Sequence, residues 1–175
     1  MKKRDELVFE SIYNKIKCIE NTEKLINDVF FIDGEGIISE KLLLKLIKKA
    51  KTNRNLLKFM NALVFYLKRE ELSQKVFDGI LSLRGSYKNS IRCGLCHSEL
   101  SLIQVLKLNE LGVEEALVRL LLIYDSSDIF TSNDLPYIFA PWKHRKISKY
   151  VKYNIDYYIN CEKKAELLNW VDKLW

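Results

Sequence analysis

Apolar residues return every three or four positions along nearly the whole chain, and only six glycines and two prolines interrupt them in 175 residues. That spacing is the signature of amphipathic helices. So few turn-forming residues leave no room for the many short connections of a β-sandwich or barrel. The elements must therefore be long and the loops few. The predicted fold class is all-α, with eight or nine helices as antiparallel helical hairpins in a compact bundle or a short irregular HEAT-like stack. No repeat of fixed period runs through the chain. With 48% hydrophobic residues, a single domain over residues 1–175 can bury its core without disulfide or metal.

The helices are placed by their caps and periodicity. Val8, Ile12 and Ile16 put one over residues 4–20, and a second spans 22–31 before Asp33-Gly34-Glu35-Gly36 turns the chain. Ser39 caps a helix over 40–51, and 54–70 reads as a central helix, apolar nearly all round. Ser73 opens the next and Gly85 ends it. Ser98 opens a helix that Gly112 closes, and 113–124 follows. Residues 125–142 hold both prolines and form the longest irregular stretch, before helices over 143–160 and 162–174. Two short strand candidates, Val29–Ile32 and Ile37–Ile38, amount to no sheet.

The amino terminus begins basic, but Asp5, Glu6 and Glu10 break up any signal-peptide core. No apolar run nears the roughly 20 residues of a membrane span. The expected location is cytoplasmic, without membrane insertion and with Cys18, Cys93, Cys96 and Cys161 reduced.

Cys93-Gly94-Leu95-Cys96-His97 is the most motif-like segment. In form it fits c-type haem attachment, a redox dithiol, or a zinc site through Cys93, Cys96 and His97. Zinc needs a fourth ligand, which Cys18, Cys161 or His144 would have to supply. The plain reading is two small, soft side chains at a helix contact, with Gly94 permitting close approach. Neither cofactor nor structural metal is expected. With only His97 and His144, no base–orienter pair and no phosphate-cradling glycine loop, an enzyme is not expected either.

Charge is distributed in blocks. The net charge is +6 overall but −3 over residues 1–40, +9 over 41–69, −4 over 70–140 and +4 over 141–175. Lys41, Lys45 and Lys48 form a helical stripe with Arg54 just across the hairpin. Near the carboxyl end Lys143, Arg145, Lys146, Lys149 and Lys152 interleave with Tyr150, Tyr153 and Tyr157, the tyrosines recurring at i, i+3 and i+7. Basic groups neutralise phosphates and aromatic rings stack on bases, so these residues define a nucleic-acid face. The plainer reading is a solvated lysine face with its tyrosines packed on a neighbouring helix.

Residues 110–142 have the opposite character. Glu114, Glu115, Asp125, Asp128 and Asp134 accompany Tyr137 and Trp142. Aromatic anchors ringed by charge suit a protein-binding patch that steers a basic partner. In size, irregular helical hairpins and this acidic–aromatic stretch, the chain resembles the small helical immunity proteins that bacteria pair with polymorphic or contact-dependent toxins. The resemblance implies a non-enzymatic inhibitor that binds a cognate toxin domain in the cytosol. That is the leading expectation, with the nucleic-acid module second and the metal site third.

Overall fold

A computed structural model of the chain describes residues 4–16, 22–31, 38–67 and 71–174. Cys18, the Asp33–Gly36 turn, and Ile32 and Ile37 of the strand candidates lie outside them. Every element of the described residues is helical, and a lone bridge between Glu71 and Glu99 is the nearest approach to a strand pair. The chain divides into two compact units, Met1–Glu99 and Leu100–Trp175.

The first unit holds α1 (Arg4–Lys15), α2 (Thr22–Phe31), α3 (Glu40–Ala50), α4 (Arg54–Leu63), α5 (Gln74–Leu81) and α6 (Lys88–Leu95). Ser39, Asn53 and Ser73 cap α3, α4 and α5, each accepting from an amide three residues on. Helix α4 is central: it packs on α2, α3 and α6, burying Leu56, Phe59, Met60 and Leu63 completely. Helix α6 was not foreseen. It lies against α4 through Gly94, where a Cβ would sit 2.5 Å from the Val64 side chain and 3.1 Å from that of Phe65. The glycine of the Cys-x-x-Cys segment is thus a packing residue.

The second unit holds α7 (Leu102–Glu110), α8 (Glu114–Ser126), α9 (Leu135–Phe139), α10 (Lys149–Tyr158) and α11 (Cys161–Asp172), with 3₁₀ turns at Ser132–Asp134 and Ala140–Trp142. Eleven α-helices are therefore described, against an expected eight or nine, and the all-α class stands. The two additions, α6 and α9, are single short helices of eight and five residues. Unlike α5, also of eight residues but opened by its Ser73 cap, neither carries a side-chain cap to mark its start. Helix α7 begins after Ser101 rather than Ser98, because Ser101 and Gln104 form a reciprocal capping box. Its far end closes as expected at Gly112, whose φ is +76°. The Val113 amide reaches the Leu108 carbonyl at 3.1 Å and the Gly112 amide reaches that of Asn109 at 2.9 Å, the paired bonds of a Schellman end. The helix expected over 143–160 begins only at Lys149, capped by Ser148. Residues 143–148 form a turn and an extended lead, held down by buried Ile147.

Asn109 secures the irregular stretch to the core of this unit. It is buried, accepts from the Trp142 indole N–H at 2.8 Å and donates to the Ile138 carbonyl at 2.8 Å. Replacing it with alanine leaves both of those groups buried without a partner, at about 1–3 kcal/mol each. Asn109→Ala should therefore lower unfolding stability by about 2–5 kcal/mol in denaturant titration. A loss below about 0.5 kcal/mol would mean that the bridge is dispensable.

Candidate functional site

Most of the acidic residues expected to face a partner are engaged within the second unit. Glu114 accepts from the Ser148 amide at 2.6 Å and from its hydroxyl, so it docks the start of α10 onto the start of α8. Asp125 accepts from the Asn160 amide at 3.2 Å and from its Nδ2 at 3.0 Å, fixing the link between α10 and α11. Asp134 accepts from the Thr131 amide at 2.8 Å and its hydroxyl at 2.9 Å, closing a box over the first 3₁₀ turn. Trp142 is only 2% exposed and belongs to the core. Glu115 is half-buried, Asp128 is exposed, and Tyr137 is 79% exposed. Of the seven expected contact residues, Asp128 and Tyr137 are the two fully presented to solvent.

A polar knot lies beneath this stretch. The Tyr124 hydroxyl donates to Glu166 at 2.8 Å, and the Ser132 hydroxyl reaches the same carboxylate oxygen at 3.1 Å. Burial, reinforced by the Glu166 carboxylate and opposed by Ser132, holds the Tyr124 phenol above its ordinary range. The Lys163 ammonium lies over the Tyr124 ring and donates to its carbonyl at 2.5 Å. These groups tie α8 to α11, with Tyr124 buried and Ser132 exposed.

Helix α10 is different. Val151 and Ile155 turn inward, which leaves the positions one and two residues away pointing out. Tyr150, Tyr153, Tyr157 and Tyr158 are 45%, 59%, 69% and 57% exposed. The plainer reading of a packed tyrosine stripe is thereby overturned. Tyr153 and Tyr157 stack with centroids 5.7 Å apart and planes at 17°. Tyr157 meets Tyr158 edge-on at 5.1 Å. The rings brace one another, so little rotamer freedom remains to be lost on binding.

The segment leading into this face is basic and open. Lys143, Lys146 and Lys149 are exposed, and no acidic residue occurs between Asp134 and Asp156. Two of the expected basic contacts have structural partners. Arg145 donates to the Glu110 carbonyl at 3.3 Å and covers Gly112, where any Cβ would overlap its guanidinium. Lys152 pairs with Asp172 at 3.4 Å. In the first unit Lys41, Lys45, Lys48 and Arg54 are all exposed, and the Lys45 ammonium sits 4.1 Å from the centre of the Phe9 ring.

Around Cys93 and Cys96, both half-buried, the exposed His97 ring lies 5.8 Å from Phe65. Among the described residues no three His, Cys, Asp or Glu side chains come together in a metal-holding group. Nor is any helix among them long and apolar enough to cross a membrane.

Lys143 and Lys146 belong to the basic run read from the sequence, and one ring of the α10 site was not singled out there. That ring is Tyr158, the last residue of α10. Register from Val151 and Ile155 would turn it inward, but it is exposed at the helix end while the next residue, Ile159, is buried. Comparison of the chain with known protein families, with curated proteins and with solved structures found no match.

The two Thr131 bonds, that of the amide first, hold the Asp134 carboxyl below its ordinary value. A carboxyl lowered by folding stabilises fully above its unfolded value and loses that contribution as pH falls through the folded one. The difference in thermal midpoint between wild type and Asp134→Ala should hold steady above about pH 5 and narrow below about pH 4. A difference that stays constant into strong acid would show that the ionised carboxyl plays no part in the box.

Proposed function

We propose that this chain is a non-catalytic binding protein whose contact surface is the tyrosine face of α10 together with the basic lead 143–149, and that nucleic acid is the partner this surface suits. The observation that carries it is the exposure of Tyr150, Tyr153, Tyr157 and Tyr158 beside an acid-free, lysine-bearing segment. Aromatic area left in water is costly unless something covers it in function. Lysines with no carboxylate in the run are arranged for a polyanion.

The test is binding of labelled RNA and DNA, single- and double-stranded, across a salt series. Binding should appear at low salt and weaken steeply as salt rises. Charge reversal at Lys146→Glu and Lys149→Glu should weaken it at least about ten-fold, since each lost phosphate contact also becomes a repulsion. Absence of binding to every form at low salt would end this reading.

A second reading keeps the leading expectation of an immunity-type inhibitor of a cognate toxin domain. It draws on Tyr137, 79% exposed, with exposed Asp128 and Ile129 nearby in sequence. An exposed tyrosine in the same irregular stretch as an exposed carboxylate suits an interface anchor. Here Tyr137→Ala with Asp128→Lys should abolish protection of cells against the toxin. Unimpaired protection by that folded variant would remove these residues from the interface.

A further inference from the structure

We infer that the nucleic acid taken by the α10 face is single-stranded, with unpaired bases stacked on the tyrosine rungs and phosphates met by Lys143, Lys146 and Lys149. The inference rests on the nucleic-acid reading above and deepens it.

The argument begins with what each kind of polymer offers. A duplex hides the faces of its bases and shows a protein its phosphates and groove edges. Four tyrosines gain little from such a surface. An unpaired strand offers base faces, and each stacked base contributes substantially and with little regard to sequence. Tyr150, Tyr153 and Tyr157 recur at helical spacing, so the rungs span about 10 Å along the axis, enough for a short run of bases.

The rings are also held in place. Tyr153 lies nearly parallel to Tyr157 at 5.7 Å, and Tyr158 buttresses Tyr157 edge-on. A braced stack presents an outer face at fixed height, which is what a base needs.

Charge falls at one end of this row. Lys143, Lys146 and Lys149 precede or begin α10, and all three are exposed. Further along, Lys152 is paired with Asp172 at 3.4 Å, and the Lys164 ammonium donates to the Asp156 carbonyl at 2.5 Å. The strand therefore meets lysines first and tyrosines after, with the phosphate contacts concentrated at the amino-terminal end of α10. A surface built for duplex DNA would carry its charge along the whole helix and polar side chains where these rings stand.

The experiment compares fluorescence anisotropy of the full chain with mixed-sequence single strands of about 12 nucleotides and with a duplex of equal length, at about 50 mM salt. Single strands should bind at least about ten-fold more tightly than the duplex. Tyr153→Leu with Tyr157→Leu should weaken single-strand binding at least about ten-fold, while Tyr153→Phe with Tyr157→Phe retains it, because stacking needs the ring and not the hydroxyl. As an independent check, Lys146→Ala with Lys149→Ala should lower the slope of log affinity on log salt by about 1.4. Equal or tighter duplex binding overturns the single-strand inference and leaves the nucleic-acid reading standing. Unchanged single-strand binding by the folded leucine variant overturns the stacking. No binding to either form, or binding confined to anionic vesicles, overturns both.

Discussion

Each α-helix ends with unpaired amides at one terminus and unpaired carbonyls at the other, and a chain of short helices carries that deficit many times over. Here side chains remote in sequence meet much of it. Glu114 reaches the cap of α10, Arg145 reaches the last turn of α7, Asp125 reaches the start of α11, and Lys163 reaches the end of α8. Three of these bonds also fix one helix or its cap against another, and the Arg145 bond fixes the turn before α10 against α7. In the second unit the same charged groups therefore close helix ends and set the packing.

This has a direct consequence for where a ligand can be met. Glu114, Asp125 and Asp134 are taken up by amides, and Trp142 is taken up by Asn109. The acidic–aromatic stretch is thus mostly an internal brace. On the approach to α10 and at its first residue, Lys143, Lys146 and Lys149 stay open, and the α10 tyrosines stand outside the core. The amino-terminal end of the α10 tyrosine face is basic in its surroundings, and the proposed polyanion partner rests on that charge.

Particular residues show how far the sequence could be read. Ser39, Ser73 and Gly112 act where their chemistry places them, because a cap depends on neighbours within three or four positions. Ser98 and Ser101 are both plausible caps, and only Ser101 has glutamine three residues later to complete the box. Helices α6 and α9 escaped notice because they are short and neither has a capping side chain at its start. The tyrosine run at 150, 153 and 157 was visible, but whether it faced a neighbour or solvent was not, since a tyrosine serves in either place.

The sequence by itself determined the all-helical class, most helix starts, and the segregation of lysine from carboxylate along the chain. Those properties depend on local spacing and on the scarcity of glycine and proline. Tertiary structure alone decided that Glu114 and Asp125 were consumed as caps, that Trp142 was core, and that the α10 tyrosines were surface, whereas Asp134 meets Thr131 three residues away in a local box. Those outcomes turn on partners some 30 residues apart, such as Glu114 with Ser148 and Asn109 with Trp142, and hydrophobic pattern carries no record of such pairings. A carboxylate looks the same in sequence whether an amide or solvent will meet it; only the fold brings the amide to it.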